Sequence, residues 1–106
     1  SKGVKSISGT VFGEDVQRVV DLDGFKIDVE PKGKMIIMKN KDIPGVVGKV
    51  GNILGENGIN ISDFRLSRGK EGTALAVILI DEKANSKVTS ELDNLEASIA
   101  VAYAEI

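Results

Sequence analysis

The stretch from Asn40 to Asn60 most constrains what this chain can fold into, because it encodes an amphipathic helix bounded by turn residues. At about 100° per residue, apolar side chains fall on one arc and polar side chains fall opposite. Asp42 is predicted to cap the helix, Pro44 suits its first turn, and Gly58 is predicted to end it in the left-handed conformation. The apolar arc consists of Val46, Val47, Val50, Ile53 and Leu54.

A stripe of three glycines, Gly48, Gly51 and Gly55, lies between the two arcs of this helix. An interior glycine costs a helix about 0.5–1 kcal/mol relative to alanine, so another interaction should offset that cost. Two explanations are open. Either the helix packs closely on its own sheet, or another backbone or a small ligand approaches it closely.

The apolar patterns on both sides of this helix predict strands and one further helix. Residues 4–30 are β-rich and are predicted to form a three-stranded piece, which a short linker at 31–33 separates from the rest. Beyond the linker, strands are predicted over residues 35–39, 59–68, 73–81 and 98–105. Asn85 or Ser86 is predicted to cap a second helix, with Val88, Leu92 and Leu95 on its apolar side and Glu91, Asp93 and Glu96 facing outward.

The order of these elements predicts an α+β fold of the ferredoxin-like βαββαβ type. Right-handed crossovers place the four strands in one antiparallel sheet with both helices on one face, preceded by the short β-rich segment. The strand that begins at Thr73 is apolar on both faces, as is typical of an interior strand. A change of apolar parity after Ile61 predicts a bulge near Ser62 and Asp63.

The composition excludes several classes of function. Without cysteine or histidine, the chain has no disulfide, no thiol chemistry, no histidine acid–base catalysis and no Cys/His zinc site. Fourteen basic and 16 acidic residues give a net charge of -2, which argues against a polyanionic partner. No apolar run reaches the length of a membrane span. We therefore expect a cytoplasmic domain with neither nucleic acid nor membrane as a partner.

No group of residues has the pattern of an active site. The pair Asp81 and Glu82 is expected to be a solvated turn, and Tyr103 alone makes no active site. Gly48-Lys49 lacks the spacing of a phosphate-binding loop, and the predicted middle strands lack the aromatic residues of an RNA-binding sheet. We expect no catalytic residue, no metal ligand and no cofactor in this chain.

The start of the central helix has the chemistry of a site for a zwitterion. The predicted site includes Pro44, Gly45, Val46 and Val47, where the free amides at the start of the helix and the helix dipole favour a carboxylate, while Asp42 can pair with an ammonium group. Asn40 and Asn60 are predicted to flank the mouth of this site. For single residues a plainer interpretation is open, in which Asp42 only caps the helix and Asn60 only serves the entry of a strand.

Two segments carry a resemblance to a known family: Asp42-Ile43-Pro44-Gly45-Val46-Val47-Gly48 and Leu54-Gly55-Glu56-Asn57-Gly58-Ile59-Asn60-Ile61. They resemble the signature of ACT domains, which are small amino-acid-sensing regulatory modules. The resemblance implies that an effector amino acid lies between two neighbouring modules, held by Asn40, Asp42, Asn60 and backbone groups early in the helix. It also implies a homodimer paired through a sheet edge, with the Gly48, Gly51 and Gly55 faces adjacent. Asn40 departs from the family, in which histidine or an aromatic residue is frequent at this position.

Within this family the chain is similar to the C-terminal regulatory regions of D-3-phosphoglycerate dehydrogenases. That similarity implies L-serine as an allosteric effector and an NAD-dependent parent enzyme of serine biosynthesis whose catalytic domains lie outside this chain. Residues 1–31 would then be the last strands of an intervening regulatory domain, and residues 34–106 the ACT domain. Two alternatives are open: the regulatory part of an iron–sulfur L-serine dehydratase β subunit, and an ACT dimerisation module that binds no ligand.

Overall fold

The computed structural model describes residues 4–6, 19–22, 25–28, 32–69 and 71–106. The described residues form strands and helices in the order β1 Val4–Ser6, β2 Val19–Leu22, β3 Phe25–Asp28, β4 Lys34–Lys41, α1 Val46–Glu56, β5 Ile61–Arg68, β6 Thr73–Ile80, α2 Ser86–Asp93 and β7 Ser98–Glu105. From β4 onward, this order is the predicted βαββαβ sequence of elements.

The main sheet has the strand order β1-β7-β4-β6-β5. In the order β7, β4, β6 and β5, each strand is antiparallel to its neighbour, which confirms the predicted four-stranded sheet. The prediction of a separate three-stranded piece over residues 4–30 was wrong, because β1 instead pairs with β7 in parallel and adds a fifth strand. An edge strand has a row of unpaired backbone amides and carbonyls. In the four-stranded sheet β7 is such an edge strand, and β1 pairs with it along that row. Strands β2 and β3 form a two-stranded hairpin, and β3 contacts β5.

Both faces of the sheet are buried. Side chains from α1, α2 and one face of the sheet form a single core cluster, which includes Ile36, Met38, Val50, Leu54, Ala76, Ile78, Val88, Leu92 and Val101. On the opposite face Met35, Ile37, Leu75 and Val77 are at most 1% exposed. Every residue of β6 after Thr73 is buried, which confirms that β6 is an interior strand.

Helix α1 begins later than the sequence indicated. Its N-cap is Gly45, in the left-handed conformation with a φ of 87°, and no side chain of the described residues caps it. The prediction that Asp42 caps this helix was therefore wrong, and Pro44 precedes the first turn. The amide of Asp42 donates instead to the carbonyl of Gly72 at 2.7 Å, which ties this residue to the turn between β5 and β6.

The end of α1 follows the prediction. Gly58 has a φ of 71°, its amide donates to the carbonyl of Gly55, and the amide of Ile59 donates to the carbonyl of Leu54 at 2.9 Å. This pair of hydrogen bonds is the Schellman arrangement, which requires a left-handed residue after the C-cap. On the apolar arc Val46, Val50 and Leu54 are buried, whereas Val47 is 53% exposed.

Two local predictions around β5 and α2 are confirmed and one is wrong. The register between β5 and β6 shifts between Ile61 and Asp63, where a bulge was expected. The side chain of Asn85 accepts a hydrogen bond from the amide of Val88 at 3.1 Å and caps α2. Asp93, predicted to face outward, is only 3% exposed. It lies in the last turn of α2, a helix that contacts both β7 and β1.

Candidate functional site

A cleft with a volume of about 210 Å³ lies where the ends of β4 and β5 meet the start of α1. Six of the seven predicted effector-binding residues line it: Asn40, Asp42, Pro44, Gly45, Val46 and Val47. Four further residues that the sequence analysis did not assign to this site also line it: Ile43, Gly48, Leu66 and Arg68. The structure therefore brings most of the predicted site residues together and adds the cationic side chain of Arg68 to them.

The strand directions explain why these residues meet. Strands β4 and β5 are both antiparallel to β6, so they run in the same direction and their last residues lie at the same end of the sheet. Asn40 in β4 and Arg68 in β5 pair with the same residue, Ala74, from its two sides. Chain segments that are 28 positions apart in the sequence thus lie on either side of one strand.

An ion pair crosses the cleft. The guanidinium Nε of Arg68 lies 3.1 Å from Oδ2 of Asp42, with the two side chains 72% and 34% exposed. Asp42 thus has a counter-ion in this structure, and a ligand cation that binds Oδ2 competes with Arg68 for it. Arg68 was missed because it is distant in sequence, although the predicted antiparallel order would have placed the end of β5 at the same end of the sheet as the end of β4, with β6 between them.

The start of α1 presents backbone amides at the cleft. The carbonyl of Gly45 accepts the first hydrogen bond of the helix, from Lys49 at 3.1 Å, and the first turn contains no acidic residue. The amides of a helix's first turn have no partner within the helix, and they carry the positive end of its dipole. Since Val46, Val47 and Gly48 line the cleft, this end of the helix suits a carboxylate.

Asn40 is anchored within the fold. The residue is 4% exposed, and its Nδ2 donates to the carbonyl of Lys41 at 2.8 Å. This hydrogen bond orients the carboxamide of a residue that lines the cleft. An asparagine side chain also has a carbonyl oxygen, so the arrangement can offer an acceptor to an ammonium group.

Asn60 does not flank the cleft of its own chain, contrary to the sequence-based expectation. It precedes β5, whereas Arg68 ends this strand, so the whole extended length of β5 separates the two residues. The side chain of Asn60 donates to Oδ2 of Asp81 at 2.7 Å, and its amide donates to Oε1 of Glu82 at 2.7 Å. Within one chain, Asn60 therefore supports the turn between β6 and α2.

The glycine stripe of α1 makes no close contact in the described part of the chain. A Cβ atom placed on Gly48, Gly51 or Gly55 would meet no other atom within 4 Å, apart from the helix backbone and chain neighbours. Close packing of α1 on its own sheet, one of the two explanations offered above, therefore does not account for the stripe.

The remaining candidates do not join this site. Tyr103 does not line the cleft; its hydroxyl donates to Oε2 of Glu105 at 2.7 Å, and burial together with this hydrogen bond raises the pKa of Tyr103 to about 12. Within the described ranges no three acidic side chains are placed to share a metal ion. Neither α1 nor α2 is long and apolar enough to cross a membrane.

Comparison with known proteins defines the class. The family model of the ACT domain matches residues 34–97, which contain β4, α1, β5, β6, α2 and the whole cleft lining. The chain therefore belongs to the ACT domain family. A solved structure, the ACT domain from a GTP pyrophosphokinase of Chlorobium tepidum, superposes with a TM-score of 0.56 at 16% identity, over 68% of this chain and 96% of that one. This likeness supports the fold alone.

The curated relatives narrow the comparison within that family. The chain is 37% identical over 91 residues to a D-3-phosphoglycerate dehydrogenase of Bacillus subtilis, which covers 85% of this chain and 17% of the relative. It is 33% identical over 103 residues to a D-3-phosphoglycerate dehydrogenase of Archaeoglobus fulgidus, which covers 94% of this chain and 19% of the relative. The chain is thus homologous to the ACT regulatory domains of these dehydrogenases and spans less than a fifth of their length.

Proposed function

We propose that this chain is the effector-sensing part of an NAD-dependent D-3-phosphoglycerate dehydrogenase, and that its cleft binds a small polar amino acid, with L-serine favoured. The observation that carries the proposal is the cleft itself, which places Asp42, Asn40 and the start of α1 around one space of about 210 Å³. That volume lies below the range of about 300–1,000 Å³ typical of drug-sized pockets, so it suits a ligand as small as an amino acid.

The charges of the cleft match those of a free amino acid. The amides and dipole at the start of α1 favour the ligand's carboxylate, and the carboxylate of Asp42 favours its ammonium group. Asn40 also lines the cleft, and its side-chain carbonyl oxygen can accept a further hydrogen bond from the ammonium group.

A second copy of the chain would complete the site. In the described part of the chain, β5 is the outer strand of the sheet and pairs on one side only, with β6. If two copies pair antiparallel through β5, the start of one β5 lies beside the end of the other. Asn60 of one copy would then lie near Arg68 and Asp42 of the other, which reconciles its place in the single chain with a role in the site. The same pairing brings the two glycine stripes together.

In the parent enzyme, binding at such an interface would regulate turnover. A ligand that binds only the paired form stabilises the pair by the same factor by which pairing raises ligand affinity. L-Serine would thereby restrain domain motion and lower turnover in serine biosynthesis. The NAD site and the catalytic residues belong to the parent's other domains in this proposal.

The direct test is calorimetric titration of the 106-residue chain with L-serine, glycine and D-serine, combined with sedimentation with and without L-serine. We expect heat with L-serine, a weaker response to D-serine, and a shift toward dimer in the presence of the ligand. No heat with any of the three up to millimolar concentration would favour the alternative of an ACT dimerisation module without a ligand.

Asp42→Asn tests the charge in the cleft. A hydrogen bond to a charged group contributes about 1.5–3 kcal/mol, so L-serine affinity should fall on the order of 10–150-fold. Stability without ligand should change by less than about 1 kcal/mol, because the ion pair of the Asp42 side chain is solvent-accessible and this side chain does not cap α1. Asp63→Asn is the matched control, since Asp63 pairs with Arg65 at the same 3.1 Å outside the cleft. Equal losses of affinity in both variants would contradict the assignment.

Asn60→Ala tests whether a second copy contributes to the site. This variant also removes the hydrogen bond to Asp81, so Asp81→Ala serves as the control that loses the same bond from its other end. We expect L-serine affinity to fall in Asn60→Ala and to be retained in Asp81→Ala. Retained affinity in Asn60→Ala would place the site within one chain.

A further inference from the structure

The ion pair across the cleft places a cation where the proposed ligand's ammonium group would bind. Arg68 Nε contacts Oδ2 of Asp42 at 3.1 Å, and both residues line the cleft. A cationic ligand group that binds Oδ2 of Asp42 therefore competes with the guanidinium for that oxygen. Once displaced, the guanidinium still lies at the wall of the cleft and needs a new partner.

The exposure of this pair shows that opening it costs little. Because the side chain of Arg68 is largely exposed, the ion pair is of the solvent-accessible kind that contributes little to stability. A ligand that carries both an ammonium and a carboxylate group can replace one ion pair with two. A ligand with one charge leaves either Asp42 or Arg68 without its counter-ion.

We propose that Arg68 binds the effector's carboxylate and thereby restricts the site to zwitterions, that is, to free α-amino acids. The inference rests on the proposed function and adds to it a residue that determines ligand selectivity. The carboxylate can accept from Arg68 and from the amides of α1 together, because its two oxygens offer about four acceptor positions. Without the ligand, Arg68 and Asp42 form an ion pair with each other. When the ligand binds, its carboxylate pairs with Arg68 and its ammonium group pairs with Asp42.

The first test removes the guanidinium. Arg68→Met should lower L-serine affinity at least about tenfold, the lower end expected for the loss of a charged hydrogen bond. Arg65→Met is the matched control: Arg65 lies on the same strand, pairs with Asp63 at 3.1 Å, and does not line the cleft. Arg68→Lys keeps the charge but not the planar fork, so its affinity should lie between those of the wild type and Arg68→Met.

The second test varies the ligand. L-Serinamide lacks the carboxylate and 3-hydroxypropanoate lacks the ammonium group, and each should bind the wild-type chain at least about tenfold more weakly than L-serine. Equal affinity of L-serine and either analogue would overturn the restriction to zwitterions.

The outcomes separate this inference from the proposed function. Wild-type binding of L-serine that Arg68→Met leaves unchanged overturns the role of Arg68 alone. Tighter binding by Arg68→Met shows that Arg68 only competes for Asp42, and also overturns that role. Absence of binding by the wild-type chain rejects the proposed function and this inference together. Thermal unfolding without ligand checks that each variant is folded; because Arg68 is exposed, its loss should leave the transition unchanged.

Discussion

Replacing Gly51 by alanine should stabilise the single chain and weaken the pair of chains. A Cβ atom on Gly51 meets nothing within 4 Å in the structure, so the new methyl group causes no clash in the monomer. Alanine is favoured over glycine inside a helix by about 0.5–1 kcal/mol. For a domain of this size, 1 kcal/mol shifts Tm by about 4–8 °C, so the monomer's Tm should rise by roughly 2–8 °C.

In the proposed dimer the same methyl group holds the two α1 helices apart. Sedimentation should show weaker association for Gly51→Ala than for the wild type, and weaker still for Gly51→Leu, whose side chain is larger. Thermal unfolding must be followed at low and high protein concentration, because association makes Tm depend on concentration. We expect the variant to have the higher Tm when dilute, and a smaller rise of Tm with concentration than the wild type.

Asn52→Ala provides the control for helix propensity. Asn52 is exposed and lies on the polar side of α1, so its replacement by alanine raises helix propensity without filling the stripe. It should raise Tm and leave association unchanged. A Gly51→Ala variant that associates as tightly as the wild type would refute the reasoning, as would one that unfolds more easily when dilute.

Three further predictions concern the fold. Gly58→Ala should destabilise the chain by roughly 1–2 kcal/mol, the cost of the left-handed conformation for a residue with a Cβ atom. Gly55→Ala, in open space within α1, should not destabilise it, and denaturant unfolding compares the two variants. Asn85→Ala should cost about 1 kcal/mol by removing the cap of α2, while Ser86→Ala, one residue later, should cost less in the same assay. Tyr103, the only tyrosine, should ionise at about pH 12 in the folded chain, as followed by its near-ultraviolet absorbance. Because its folded pKa is raised, the stability it contributes is complete below pH 10 and is lost as the pH rises from there through 12.

The fold was predictable where local patterns decided it. The period of the apolar residues fixed both helices and the four antiparallel strands, and the parity change at Ile61 located the bulge in β5. The left-handed end of α1 at Gly58 followed from residue type alone, because glycine adopts that conformation without strain. The pairing of β1 with β7 was not predictable in this way, because a three-residue strand carries no period and its partner lies at the other end of the chain.

Six of the ten residues that line the cleft were predicted from the sequence, but their interactions were not. Asp42 has the residue type and position of a helix cap, yet α1 starts at Val46 through a left-handed Gly45, and Asp42 pairs with Arg68 instead. That partner is 26 positions away, and only the register of β5 against β6 brings it to the cleft. Its position just before the helix thus suggested that Asp42 caps the helix, whereas strand pairing places Asp42 in an ion pair with Arg68.

Asn60 and the glycine stripe lead to one conclusion from different directions. Asn60 belongs to the segment that carries the family resemblance, yet in the single chain the full length of β5 separates it from the cleft. The stripe costs α1 on the order of 1.5–3 kcal/mol over its three glycines. It has no contact in the described chain that offsets this cost. A two-fold pair through β5 gives both features a use, since it carries Asn60 to the other copy's cleft and places the two stripes together. The dimer and the effector site are therefore one hypothesis, and a monomeric chain that bound L-serine with full affinity would refute both parts of it.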